Sequence, residues 1–475
     1  MHHLVWFRSD LRIHDNPALS AACASAGSDD ARVSAIYYLC PEQARQHRQA
    51  PIQLDFIRRN LLELAAQLAH LGISMQLVTV DSFEDIAGHL ARQVESENIT
   101  AVFCNQEPGV NEQQRDHAVQ NLLSVPLRIH QSDCILPPGS VTNGEGEMYR
   151  VYTPFAKSWL QQLQHQGYRL SPPPAPRGRV AAASTLTWPT TSAVDLQLTD
   201  SSAWPAGEEA ALRRLQSFCN QQLHHYAEQR DFPARHGTSG LSPYLAIGVL
   251  SARQCVAALE QTLGYLPGGR GDSGFAWLNE LIWREFYRHL LHGYPRLSKN
   301  RAFKPETERL AWRNDHNALQ RWCSGDTGFP IVDAAMRCLN QSGWMHNRLR
   351  MICASFLTKD LQIDWRQGEE YFMSKLIDGD LASNNGGWQW SASTGADAAP
   401  WFRIFNPTTQ GQKFDPQGNF IRHWLPELQS VPLNQLHQPS RWLQQHDPGN
   451  PYPLPIVDHK QARLETLAMF KALNQ

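Results

Sequence analysis

The sequence predicts an α/β N-terminal domain joined by a long linker to a mainly α-helical C-terminal domain. Three observations carry that expectation. Over the first 135 residues, short apolar runs alternate with longer amphipathic ones. The stretch Ser171–Pro205 is rich in Pro, Ala, Ser and Thr and has no periodicity. From Glu208 onward, apolar residues recur at helical spacing with few strand signals. The boundaries that follow are 1–135 for the α/β domain, 136–207 for the linker and 208–475 for the helical domain.

In the first domain, Leu4–Phe7, Val33–Leu39, Ile73–Val80, Ile99–Cys104 and Leu127–His130 are short and apolar enough to be strands. Between them, Ile52–Leu71, Phe83–Glu95 and Asn111–Leu123 show helical spacing. Parallel strands need crossover connections, so this alternation implies a parallel, Rossmann-like sheet with helices on both faces. No G-x-G-x-x-G follows the first strand, and the main cofactor need not sit in this domain. In the second domain, Ala210–Gln229, Ser251–Leu263, Ala276–His292, Ile331–Ser342, Arg348–Leu361 and Arg366–Ile377 read as helices.

A chain of 475 residues suffices for two or three domains, and its 15 tryptophans are many for that length. Lys+Arg at 43 nearly balance Asp+Glu at 45, so net charge advertises no nucleic-acid partner, although a local basic groove can hide inside a neutral total. The nine cysteines are scattered without a C-x-x-C pair, which suits buried thiols in a reducing compartment and not a disulfide frame. The N-terminus MHHLVWFRSDLR becomes charged at once, and no run approaches the roughly 18 apolar residues of a membrane span. The expectation is a soluble cytoplasmic protein with no membrane association.

The tract Asp378–Pro407 carries three tryptophans among glycines, asparagines and small hydroxyl residues, with no lysine and one arginine. It lacks the branched aliphatics of a plain helical core and holds too much tryptophan for a disordered tail. It suits the wall of a large, flat, aromatic ligand, with an irregular packed loop as the bland alternative. In WLNELIWREFYRHLL, Glu280, Trp283, Arg284 and Tyr287 share one helical face, which an amphipathic helix with a buried ion pair would also explain. In GWMHNRLRMICASFL, Trp344, Asn347 and Met351 form a stripe with Arg350 beside it. Asparagine in a core needs partners, and its amide together with apolar faces suits an aromatic base.

With LVWFRSDLRIHDNPAL, GTSGLSPYLAIG, WLNELIWREFYRHL and GFPIVDAAMRCLNQSGWMHNRLRM, these segments resemble the photolyase/cryptochrome flavoprotein family essentially from end to end. The closest likeness is to class I cyclobutane pyrimidine dimer photolyases of the folate-antenna type. The resemblance implies a helical domain that binds FAD, reduced and anionic when active. Its pocket would take Tyr226, Thr238, Ser239, Gly240, Leu241, Ser242, Trp277, Glu280, Arg284, Asn347, Arg350, Asp378, Asp380 and Asn384. Arg350 and Asp378 would form an ion pair against the isoalloxazine, and Asn384 would face its reactive nitrogen. Gly240 departs from relatives that carry arginine in T-S-x-L-S, which removes a possible cation for the diphosphate.

Trp388, Trp365 and Trp312 match the family's electron path, and together with Glu280 and Asn384 make up the implied catalytic set. Glu280, Trp283, Asn347, Met351 and Trp390 match the dimer pocket, and Arg230, Arg348, Arg403 and Lys413 are candidate phosphate contacts. Asn111 and Glu112, with His47 and Lys299 as looser matches, would hold the antenna, 5,10-methenyltetrahydrofolate or alternatively a deazaflavin. The implied activity is light-driven repair of ultraviolet-damaged DNA, single- or double-stranded, by a carbon–carbon lyase. A monomer suffices for it, with no obligatory protein partner. A (6-4) photolyase would carry histidines where this chain has Asn347 and Met351. The alternative is a cryptochrome-type blue-light receptor that signals without repair. A nucleotide-dependent enzyme read from the α/β domain lacks a phosphate loop.

Overall fold

The computed structural model describes residues 1–27, 31–177, 186–189 and 196–473, so residues 178–185 and 190–195 of the expected linker lie outside the described residues. The chain divides into two compact units. The first holds Met1–His224, Ser239–Ser298 and Ile377–Asp380; the second holds His225–Thr238, Lys299–Leu376 and Leu381–Gln475. This division does not follow the sequence boundaries at 135 and 207, since 239–298 belongs with the sheet.

The first unit is built on five strands, β1 (His2–Phe7), β2 (Arg32–Leu39), β3 (Ser74–Thr79), β4 (Ala101–Asn105) and β5 (Leu127–His130). Their order is β3-β2-β1-β4-β5 and every pairing is parallel, as expected from the alternation. Central β1 is buried at all its positions, whereas edge strand β5 leaves Arg128 and Ile129 exposed. On one face, Leu4, Trp6, Ile36 and Val102 pack against Ile86, Leu90, Val94 and Val119 from helices Phe83–Ser96 and Val110–Leu122. The first of these helices opens on a capping box between Ser82 and Asp85.

Four α-helices among the described residues of this unit were not expected: Pro17–Ala26, Pro41–Gln46, Tyr152–Gln166 and Ser242–Ala246. The first is a run of small residues with a weak stripe, begun by Pro17 and capped by Asn16, whose Oδ1 accepts from Leu19 N at 3.1 Å. The third lies inside the stretch expected to be linker. It buries Tyr152, Phe155, Trp159 and Leu163, which recur at helical spacing. The helix expected over Ala210–Gln229 runs only from Glu208 to Gln221.

The second unit packs helices Pro330–Ser342, Asn347–Ser355, Trp365–Met373 and Leu381–Ala392 around a core containing Trp322, Phe356, Trp365, Phe372 and Trp388. The helix expected over Arg348–Leu361 changes after Ser355 into a π-helical turn, Phe356–Asp360. There buried Lys359 donates from Nζ to Ala392 O at 3.2 Å and Ser393 Oγ at 2.9 Å, while Asp360 meets His459 Nδ1 at 2.5 Å. The Asp378–Pro407 tract, whose composition does not suit a plain helical core, nevertheless forms helix Leu381–Ala392. Its buried positions include Asn384, Asn385, Gln389 and Ser391, so it shows no apolar stripe. Hydrogen bonds engage some of these polar groups instead: Gln389 Oε1 accepts from Phe303 N at 2.7 Å and Gln389 Nε2 donates to Asn385 Oδ1 at 2.8 Å, while Asn385 Nδ2 is buried with no partner among the described residues.

Buried charge ties 239–298 to the sheet layer. Asp15 follows β1 with φ of 52° and accepts from Arg253 Nε at 2.8 Å, Ser251 Oγ at 2.6 Å and Ser171 N at 3.0 Å. Glu208 accepts from Ile13 N at 2.9 Å and His14 N at 3.1 Å. Gly248, at φ of 68°, approaches Ser9 O so closely that a Cβ would collide with it. Asp15→Ala leaves Arg253 buried without its carboxylate. The expected loss is about 3–5 kcal/mol of stability, read from urea unfolding; a midpoint equal to that of wild type would refute this role.

Candidate functional site

In the first unit, helix Phe275–Gly293 presents two kinds of residue. Its buried side carries Glu285, Arg288 and His289, and half-buried Glu280, Trp283, Arg284 and Tyr287 lie elsewhere around it. Arg284 donates to Asp133 through Nη1 to the backbone oxygen at 2.8 Å and Nη2 to Oδ1 at 2.6 Å. Arg288 donates from Nε to the other Asp133 oxygen at 2.6 Å, and its two terminal nitrogens reach Asp380 at 3.1 and 3.3 Å. Burial opposes ionisation of Asp133, but Arg288 and Arg284 hold its carboxyl down at about 2. Glu285, fully buried, accepts from Ile135 N at 3.0 Å, Leu136 N at 3.2 Å and Trp159 Nε1 at 3.3 Å. Burial pushes its carboxyl up, against the pull of Arg284.

Thus Arg284, a candidate flavin contact, is engaged with Asp133, while Asp380 is held in place by Arg288, a residue absent from the sequence candidates. Asp378, buried, belongs to the same short segment, whose Ile377 and Gly379 carbonyls accept from Gln53 Nε2 at 3.1 and 2.8 Å. Trp277 is buried against Phe218, with centroids 5.0 Å apart. Trp283 stacks on Tyr152, which the sequence had placed in a linker.

The segment Ser239–Ser242 turns through Gly240 at φ of 60°. The space a side chain would take there is occupied by the guanidinium of Arg214, whose Nε donates to Ser239 O at 2.9 Å. A cation therefore stands beside this segment despite the glycine, supplied from helix Glu208–Gln221.

The antenna candidates of this unit come together in part. Asn111 Nδ2 and His47 Nε2 are 3.1 Å apart, the His47 ring stands edge-on to Phe83, and Arg115 lies over Phe83 at 4.8 Å. Glu112 folds back over Gly109, and burial together with neighbouring Glu107 raises its pKa. Burial lowers that of His47, which favours the neutral ring. Exposed Lys299 is in the second unit.

In the second unit, Asn384 is buried, and its Nδ2 donates to Glu369 O at 3.0 Å. Glu369 was not a sequence candidate; a carboxylate in an amphipathic helix offers no signal until its burial is known. Trp388 meets Phe372 at 4.9 Å and Trp322 at 5.9 Å, both edge-on, and it leaves no room for a Cβ at Gly368. Trp365 is buried with Arg366 over its ring at 4.8 Å, and Trp312 packs partly buried on the same core. The structure brings Asn347, Arg348 and Met351 together, with Asn347 Nδ2 at 4.0 Å and Arg348 Nη1 at 3.8 Å from the Met351 sulfur. Arg348 donates to Asp231 at 2.8 Å and lies over Phe414, which Lys413 also flanks. As a phosphate contact it is therefore partly neutralised. Arg230 lies over the buried Tyr226 ring at 5.6 Å, Arg350 Nε donates to Met345 O at 2.7 Å, and Arg403 is exposed. Thr238 and half-buried Trp390 complete the candidates of this unit.

Two family profiles match the chain: "DNA photolyase" over residues 3–177 and "FAD binding domain of DNA photolyase" over residues 277–472. The chain is 50% identical to the deoxyribodipyrimidine photo-lyase of Vibrio cholerae over 98% of its own length and 99% of the relative's. It is 50% identical to that of Escherichia coli over 99% and 98%. Among solved structures, a bacterial class III photolyase from Agrobacterium tumefaciens superposes with TM-score 0.83 at 33% identity, covering 99% of this chain and 97% of that one. A Synechocystis cryptochrome superposes with TM-score 0.81 at 29% identity, covering 98% and 99%.

Glu369 supplies a pH test. Burial, reinforced by Glu370, raises its carboxyl from the ordinary 4.5 to about 7. The folded chain then holds a proton that the unfolded chain releases first, so stability falls as pH rises from 4.5 through about 7. Glu369→Gln is expected to flatten urea midpoints across that window, and an unchanged slope would count against the protonated form.

Proposed function

The chain belongs to the DNA photolyase family, and we propose from that premise that it repairs cyclobutane pyrimidine dimers in DNA with light, as a carbon–carbon lyase working with FAD. One observation carries the reading: half of all residues are shared, across nearly the full length of both chains, with each of two proteins named deoxyribodipyrimidine photo-lyase. The cryptochrome likeness is at 29% identity, well below that.

The residues fit FAD. The Trp388 indole N–H is buried with no acceptor among the described residues, in the helix that also carries Asn384. Backbone at Ser239–Ser242 turns through a glycine beside a guanidinium, a suitable lining for a diphosphate. We assign Tyr226, Thr238–Ser242, Trp277, Arg350, Asp378, Asp380 and Asn384 to holding FAD. Reduced and bound, FAD supplies the light-driven electron donor of the reaction. The protein's own part is to position and to set local charge. Arg288, itself held by Asp133, keeps Asp380 in place, and Asn384 offers an amide anchored on Glu369 O.

Glu280, Trp283, Asn347, Met351 and Trp390 are assigned to the dimer, with Arg230, Arg348, Arg403 and Lys413 on phosphates. Photolyases are themselves among the standard examples of enzymes that rotate their target out of the duplex. Indole faces suit such a lesion, since each base stacked on an aromatic gains about 1–3 kcal/mol. Trp388, Trp365 and Trp312 are assigned the electron path. His47, Asn111, Glu112 and Lys299 are assigned to a folate antenna, with a deazaflavin as the alternative. We further propose a cytoplasmic monomer; no helix among the described residues is long and apolar enough to cross a membrane.

Illumination of the reduced holoenzyme with an oligonucleotide carrying one thymine dimer should restore the intact thymines, and persistence of the dimer would end the proposal. Two variants test the parts. Glu112→Ala should lose antenna absorption while keeping repair, whereas Trp312→Phe should lose photoreduction of oxidised flavin while pre-reduced enzyme still repairs. Full antenna content in the first, or wild-type photoreduction in the second, removes that residue from its role.

A further inference from the structure

We propose that Tyr152 is a positioning residue for repair: it backs Trp283 and fixes the helical turn that carries Glu280. This rests on the assignment of Trp283 to the dimer. Tyr152 is 8% exposed and opens helix Tyr152–Gln166. Its ring lies on the Trp283 indole with centroids 3.5 Å apart and planes 3° from parallel. Aromatic pairs left to themselves prefer offset or edge-on arrangements at about 4.5–7 Å, so packing from outside the pair imposes this full overlap. Phe286 supplies some of it, standing edge-on to Tyr152 at 5.7 Å and to Trp283 at 5.8 Å.

The Tyr152 hydroxyl reaches one turn back along the same helix and donates to Asn279 Oδ1 at 2.8 Å. Ring and hydroxyl thus engage Asn279 and Trp283, with Glu280 between them in sequence. The covered indole face is closed to any ligand, which leaves the opposite face for a base. A tryptophan clamped this way has lost its rotamer freedom on folding and need not lose it on binding, which is the benefit of preorganisation.

The test compares holoenzymes with equal flavin absorption: wild type, Tyr152→Ala, Tyr152→Phe, Trp283→Ala and the Tyr152→Ala/Trp283→Ala double variant. Affinity is measured in the dark for an oligonucleotide with one thymine dimer and for its undamaged counterpart. Tyr152→Ala is expected to weaken dimer binding about 3- to 10-fold, the scale of one aromatic pair, without changing undamaged binding. Tyr152→Phe, which keeps the ring, should restore most of the affinity. The loss should vanish in the Trp283→Ala background, and fluorine NMR of fluorotryptophan-labelled enzyme should show the Trp283 resonance broadened in Tyr152→Ala. Should Tyr152→Ala fail to fold, Tyr152→Leu, which fills the volume, takes its place. Wild-type dimer affinity in the Tyr152 variants, with Trp283→Ala weakened, overturns the clamp. Unchanged affinity in Trp283→Ala overturns instead the assignment on which it rests.

Discussion

The partly buried chain of charge Arg284–Asp133–Arg288–Asp380, with Arg288 at its buried centre, is the constraint on which the first unit's functional residues depend. Asp133 comes just after β5, both arginines come from helix Phe275–Gly293, and Asp380 comes from a segment far along the chain. An isolated ion in such a place would be costly, so each charge requires the others. Arg288 is suited to join two carboxylates because a guanidinium is a planar fork of donors that stays protonated. The network therefore fixes rotation and depth of the helix, and with them the directions in which Glu280 and Trp283 leave it. Glu285 adds a second anchor by accepting two backbone N–H groups of the Ile135–Leu136 segment.

The same logic, with different chemistry, shapes helix Leu381–Ala392 in the second unit. It offers almost no aliphatic surface, and its order comes from amides answering amides and from Trp388 seated between Phe372 and Trp322. Lys359 closes the helix by donating to Ala392 O, while burial lowers the pKa of its amine well below the ordinary value. A helix built this way can leave asparagine and tryptophan edges for a ligand, because its stability does not depend on burying a greasy stripe.

Gly240 shows how a local departure is made good by a neighbour. The glycine removes a side chain from the T-S-x-L-S segment, and the Arg214 guanidinium takes the vacant space. Either residue read alone is misleading. A glycine suggests lost charge, and an arginine on an amphipathic helix suggests solvent. Their proximity is decided by how helix Glu208–Gln221 packs in the first unit.

Local periodicity determined much of this protein. The five strands, their alternation with helices, and the helices Ala252–Leu263, Phe275–Gly293, Pro330–Ser342 and Trp365–Met373 were legible, because spacing along the chain is set by backbone geometry alone. Quoted motifs likewise revealed the family and its residue types. Tertiary structure alone decided the rest. Helix Leu381–Ala392 was illegible because its stabilising contacts are polar and have no period, and 239–298 joined the sheet through Asp15, Arg253 and Glu208, distant in sequence. Glu369, Arg288 and Tyr152 became functional candidates only through what they touch. A pattern of residue types records which surfaces will be buried; it carries no record of which charge or ring will meet another, since that depends on how remote segments close in three dimensions.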